Sequence, residues 1–356
     1  MRSLVVLLAL FSVSWAGVRH PHFKIAGRNG VAPAVTTQPF NPTVDVLPLY
    51  GIDTSDSNRG AGQVIGIIDA YGASTAESDL AAFSRANGLP AANFQKVDQN
   101  GGTNYPKDDP DDASGDGWGV ETALDLQIAH AVAPAAKLIL CTAKSASDTN
   151  LNACIKTLTN LHVNHISMSY GGSEGDTSSD SYFQQAQEAG ISLFASAGDS
   201  GAEAEYPAAS QYVVAVGGTT LHTNSDGSFN SETAWSGSGG GCSKYTKVIP
   251  EQNADPGYAS LGCKGKKALP DLAALADPNS GITIIFHGQE LEGIGGTSLA
   301  APLTAGRAAI RGDQVTPAYV YTGGIQFRDI TQGSNGHSAK AGLDLVTGEG
   351  AWIGSE

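Results

Sequence analysis

Short apolar runs separated by helix-length stretches of mixed character set the pattern of the chain. Residues 63–70 (QVIGIIDA) are nearly continuous in apolar side chains, as a strand buried on both faces must be. Residues 137–140, 165–168, 192–195 and 213–216 repeat that signature, with helical stretches at 77–87, about 150–162 and about 180–190 among them. This alternation predicts an α/β fold, a parallel sheet with helices on both faces. Such a sheet opens its cleft at the carboxyl ends of its strands, and Ser169 and Asp199 fall just past two of them.

Two further helices carry the candidate chemistry. One is predicted over residues 119–134 and bears Glu121 and Asp125 at i and i+4, so two carboxylates share one face. Like charges so placed oppose each other, which raises one pKa and invites a shared proton. The other follows the glycine turn Gly295-Gly296 and begins Thr297-Ser298-Leu299-Ala300-Ala301-Pro302. Its small residues Ala300, Ala301, Ala305, Ala308 and Ala309 make a slim helix fit for burial, with the Ser298 hydroxyl at its start facing a cleft. A serine in that setting is a candidate nucleophile for acyl transfer, and it needs a base. Of the eight histidines only His130 lies on a central helix, and none stands in a recognisable catalytic motif.

Composition narrows the setting. Residues 1–16 have a basic start, a short apolar core and a small-residue end, predicting a secretory leader cleaved after Ala16 and an extracellular protein. No run reaches the roughly 20 apolar residues of a membrane span. The net charge of −15 argues against nucleic-acid partners and suits an acidic medium, in which carboxylate repulsion fades. Cys141, Cys154, Cys242 and Cys263 are expected to form two bridges; of three possible pairings, the local ones, Cys141 with Cys154 and Cys242 with Cys263, are preferred. Residues 17–44, with four scattered prolines, read as an extended arm ahead of one domain over 45–356. The loop at 98–117, with its acidic run 108–112, reads as solvated surface.

Glu121, Asp125 and Ser298 together resemble the triad of the sedolisin family, the serine-carboxyl peptidases. Ser196-Ala197-Gly198-Asp199-Ser200-Gly201 is similar to that family's oxyanion motif, and Ser167-Met168-Ser169-Tyr170-Gly171-Gly172 to its substrate-binding strand. Residues 206–210, 216–219 and 232–241 agree in order. The resemblance covers about residue 60 to the C-terminus. It implies a subtilisin-like three-layer fold with a mainly parallel central sheet flanked by helices. It also implies a monomeric endopeptidase acting on polypeptides at acidic pH, with Asp199 in the oxyanion site and Ser167, Ser169, Tyr170 and Gly171 binding substrate. One structural Ca²⁺ is implied in a segment at about 327–350, held by the Asp329 and Asp344 side chains and the carbonyls of Ile330, Lys340 and Gly342. Asp69 is expected outside the triad. Three features depart from the family: a short stretch before the first strand, an abbreviated segment at 309–321, and Gly295 where serine is commoner. Two alternatives stand beside this reading: an inactive sedolisin-like binding protein, and a subtilisin-type enzyme with a histidine base.

Overall fold

A computed structural model of the protein describes residues 17–28, 39–175 and 177–354. The expected leader, residues 1–16, lies outside them, as does the middle of the arm.

The five apolar runs become strands β1 (Val64–Ala70), β3 (Lys137–Ala143), β4 (His165–Met168), β5 (Ser192–Ser196) and β6 (Val214–Thr223), and β2 (Asn93–Asp98), which no run predicts, comes between the first two. Three more strands, β7 (Leu272–Leu275), β8 (Gln326–Arg328) and β9 (Ala351–Ile353), extend the sheet beyond what the pattern predicts. At three or four residues each they are too short to register a period. The hydrogen-bonded order is β8-β9-β7-β6-β5-β4-β1-β3-β2, with the strand Phe229–Ala234 added beside β6. Every neighbouring pair from β9 to β2 is parallel, and β8 with β9 and Phe229–Ala234 with β6 are antiparallel. The chain builds outward from β1 to β3 and β2 on one side, then returns to lay β4 to β7 on the other. The cleft therefore opens where β1 meets β4, beyond the strand ends that carry Asp69, Ser169 and Asp199.

Helices α1 (Ala76–Ala86), α2 (Trp118–Val132), α3 (Asp148–Asn160), α4 (Asp180–Glu188) and α5 (Thr297–Arg311) flank the sheet. Every residue of α2 is buried, which explains its lack of a polar face. α5 packs on α2 so closely that a Cβ at Gly306 would lie 2.7 Å from the Cβ of Val132. The small residues of α5 permit that approach, and it brings the amino ends of both helices to the cleft.

The loop ahead of α2 differs from expectation. Gly117, the residue that caps α2, has no side chain to satisfy the first helical N–H groups. Asp109 Oδ2 accepts from Trp118 N at 3.1 Å and Asp112 Oδ1 from Gly119 N at 2.7 Å. Part of the acidic run thus seals the helix start, and Asp112 is buried. Cys141–Cys154 joins β3 to α3, and Cys242–Cys263 closes the loop around helices Pro250–Ala254 and Tyr258–Leu261. No helix among the described residues is long and apolar enough to cross a membrane.

Candidate active site

Ser298 is the second residue of α5, and Gly296 before the helix has φ +100°. A side chain at position 296 would collide with the carbonyl of His22 and come within 2.6 Å of Asp199 Oδ2, so only glycine fits. Ser298 Oγ donates to Glu121 Oε2 at 2.8 Å. Pro302, inside α5, has no N–H to return to the Ser298 carbonyl, which lies 3.5 Å from Ser169 Oγ.

Glu121 and Asp125 occupy successive turns of α2, as their spacing predicts. Asp125 Oδ1 accepts from Ser169 Oγ at 2.7 Å. Glu121 Oε1 and Asp125 Oδ2 are buried without a hydrogen-bond partner among the described residues, and a proton shared between the two carboxyls would satisfy both. Burial lifts both well above the ordinary carboxyl range. The charge of Asp125 pushes Glu121 further, and Asp69 pushes both, against the Ser298 and Ser169 hydrogen bonds. Asp69, at the end of β1, is itself buried and pushed up to about 7. It stands behind the pair and makes no hydrogen bond to Ser298.

Asp199 follows β5. Its Oδ1 accepts from both Thr297 N and Thr297 Oγ1 at 2.8 Å, while Oδ2 is buried without a partner among the described residues. Burial pushes Asp199 up to about 6, against the charge of His22 and the Thr297 donors. With Oδ1 occupied by two donors, the proton of the acid form sits on Oδ2. That oxygen and the His22 carbonyl both crowd Gly296, and Ser298 N donates to the same carbonyl at 3.1 Å. Two donors thus converge where a tetrahedral oxyanion would form.

The carbonyl that Ser298 N meets belongs to the arm, whose start threads the cleft. His20 and Pro21 pair antiparallel with Gly171 and Tyr170, His22 N donates to Ser169 O at 3.2 Å, and Lys24 and Ile25 pair antiparallel with Gly295 and Ile294. Ser169, Tyr170 and Gly171 therefore line an extended chain. Ser167 does not: it lies within β4, and its buried hydroxyl makes no hydrogen bond. His130 is remote from Ser298, with Nε2 3.0 Å from the carbonyl of Pro90.

In the C-terminal segment, Asp329 Oδ2 accepts from Gly342 N at 3.0 Å and Asp344 Oδ2 from Lys340 N at 2.9 Å. The two carboxylates thus grip one turn. Burial, the charge and side-chain hydrogen bond of Asp255, and the charges of Asp329 and Asp271 push Glu349 up to about 7. The described residues contain no group of three or more His, Cys, Asp or Glu side chains able to hold a metal. A hard cation in this turn would therefore draw most of its ligands from backbone carbonyls.

Residues 60–319 match the subtilase family. The chain is 31% identical to kumamolisin of Bacillus sp. (strain MN-32), over 97% of this chain and 69% of that protein. It is 29% identical to sedolisin of Pseudomonas sp. (strain 101), over 93% of this chain and 63% of that protein. The chain belongs to the subtilase family, in its sedolisin branch. Pseudomonas sedolisin, solved as a serine-carboxyl proteinase complexed with two molecules of pseudo-iodotyrostatin, matches at TM-score 0.75 and 29% identity, covering 89% of this chain and 96% of that one. Sphericase, at TM-score 0.57 and 21% identity, shares the fold. The chain is thus a serine-type peptidase of the sedolisin kind, and its substrates are polypeptides.

Sequence reasoning missed four residues of this sedolisin site. His22, Ser196 and Glu205 meet only through the folded arm. Thr297 is the neighbour of the nucleophile, and its side-chain hydroxyl beside an invited acid was the one available signal.

Proposed function

We propose that this sedolisin is a secreted, monomeric endopeptidase active at acidic pH through Ser298, Glu121 and Asp125. The observation that carries the reading is the 2.8 Å hydrogen bond from Ser298 Oγ to Glu121 Oε2, with no histidine side chain bonded to that hydroxyl among the described residues. Glu121 takes the Ser298 proton as Oγ attacks a peptide carbonyl, and Asp125, itself held by Ser169, keeps the Glu121 carboxyl in line. The oxyanion is met by the Ser298 N–H and the protonated Oδ2 of Asp199. Glu121 returns the proton to the leaving amine, and water hydrolyses the acyl-enzyme by the same relay.

Asp329 and Asp344, with the carbonyls of Ile330, Lys340 and Gly342, would hold one Ca²⁺. Bound there, the ion would neutralise the carboxylates and fix the C-terminal turns. The leader-like residues 1–16 and two disulfides support export.

Digestion of an unfolded protein across acidic and neutral pH tests the mechanism. Cleavage is expected to be fastest in acid, to fade towards neutrality and to vanish in Ser298→Ala. A rate that rises through neutrality to a plateau would point instead to a histidine base.

A further inference from the structure

The structure assigns a second binding site, remote from Ser298: a cavity between α5 and residues 51–59, beside the buried guanidinium of Arg307, that takes a small monocarboxylate with an aromatic or branched apolar body.

Arg307 lies nine residues after Ser298 on α5, about 14 Å along the helix. It is only 4% exposed. Nη1 donates to the Tyr50 carbonyl at 2.8 Å and Nη2 to the Gly354 carbonyl, while Nε is buried without a hydrogen-bond partner among the described residues. Both acceptors are neutral. A buried cation so placed keeps most of its desolvation penalty, and burial pulls Arg307 down to about 10, with Tyr50 opposing. The ordinary partner of a guanidinium is a carboxylate, whose oxygens match its planar donors.

The cavity beside it measures about 170 Å³. That is close to the roughly 150 Å³ that admits a benzene ring. Ile52, Ile310 and Trp352 give it an apolar wall, and the Arg307 guanidinium lies 5.2 Å from the centroid of the Trp352 ring. Arg59, 5% exposed, is a second cation in the lining. Its hydrogen bonds also go to neutral acceptors, the carbonyls of Ala131 and Val132 at the end of α2 and those of Asp53 and Asp56. Arg311, which lies 3.4 Å from Asp313, completes the cationic side.

Two acids limit the charge of the ligand. Asp53 and Asp56 are exposed and stand at the mouth, each with Oδ1 engaged in its own turn, by Ser55 N and Asn58 N. Three guanidiniums against two carboxylates leave one positive charge in the lining of a chain whose net charge is −15. One carboxylate balances it. A doubly charged sulfate would meet the mouth acids with charge to spare, and a neutral amide of the same shape would leave Arg307 without a counter-charge. Once bound, the carboxylate ties α5 to residues 51–59 and, through Arg59, to the last turn of α2. It therefore stabilises the fold without entering the cleft.

The test titrates benzoate into the full chain at about pH 6, with affinity read by calorimetry and Tm alongside, and compares benzamide and sulfate. One saturable benzoate site that raises the Tm is expected, with benzamide and sulfate at least about tenfold weaker. Arg307→Lys keeps the charge but loses the planar fork, and should weaken benzoate about tenfold. Ile310→Trp fills the cavity from its half-exposed wall and should abolish benzoate binding with the circular dichroism spectrum unchanged, which keeps the test intact should Arg307→Lys fail to fold. Benzamide binding as tightly as benzoate, an affinity unchanged in Ile310→Trp, or a Tm that drifts with benzoate and never saturates would overturn the inference. None of these outcomes touches the Ser298 mechanism.

Discussion

Thr297 decides which oxygen of Asp199 carries the proton. By filling Oδ1 with two donors it leaves Oδ2 as the only place for an acid hydrogen, aimed at the oxyanion. Because Asp199 titrates at about 6, activity is expected to fall as pH rises past that value and the donor becomes a repelling charge. Asp199→Asn cannot ionise. It should keep part of the turnover and move the alkaline limb upward, whereas an unmoved limb would remove Asp199 from the oxyanion site. Glu121→Gln should lower kcat by at least about 10²-fold with folding intact, since the serine loses its base. Circular dichroism alongside kinetics separates that loss from misfolding. At this scale the sequence was legible wherever spacing along one helix did the work: Glu121 and Asp125 needed only the period of α2. Residues joined by the fold, such as His22 with Glu205 183 positions away, left no such trace.

Among the elements, α2 depends on borrowed caps. Removing the Asp112 carboxylate strips the acceptor from Gly119 N, and Asp112→Ala is expected to cost about 1 kcal/mol, read as a lowered Tm. The acidic run around it looked like solvated loop because a cap supplied from seven residues upstream has no fixed sequence spacing. The strands buried on both faces were readable from apolar runs, and the short β7, β8 and β9 were not. The C-terminal turns offer a second prediction. Chelation should lower the Tm in proportion to the calcium withdrawn, and Asp329→Ala should remove that response; melting unaffected by chelator would exclude a structural ion. Reduction of Cys242–Cys263, which spans 21 residues, should destabilise the protein by about 3 kcal/mol.

Over the whole molecule, buried carboxyls dominate the response to acid. Asp69 and Glu349 are raised to about 7 and Asp112 and Asp199 to about 6. Each binds a proton in the folded state that the unfolded chain releases near its ordinary carboxyl pKa. Between roughly pH 4 and 7 the folded protein therefore holds more protons, and stability falls as pH rises. The raised His22 has the same sign, its contribution being lost as pH climbs through its folded value. Urea midpoints should accordingly be higher at about pH 5 than at about pH 7.5, and equal midpoints would show that these groups are solvated. Calcium at the C-terminal turns would soften the share due to Glu349, so the comparison belongs at fixed calcium.

The arm lies in the cleft as a fully extended strand, paired on one flank with Tyr170–Ser173 and on the other with Gln289–Gly295. Any polypeptide that replaces it must offer the same straight backbone on both sides of the bond to be cut. Helices and closed sheets cannot, because their N–H and C=O groups are already engaged. Victims are thus chosen first by shape: a native protein would be cut only during the local openings that free some six residues at once, as the paired arm segment spans, at a rate that tracks its own opening free energy. Tightly folded neighbours of the enzyme would be spared while denatured chains beside them are consumed.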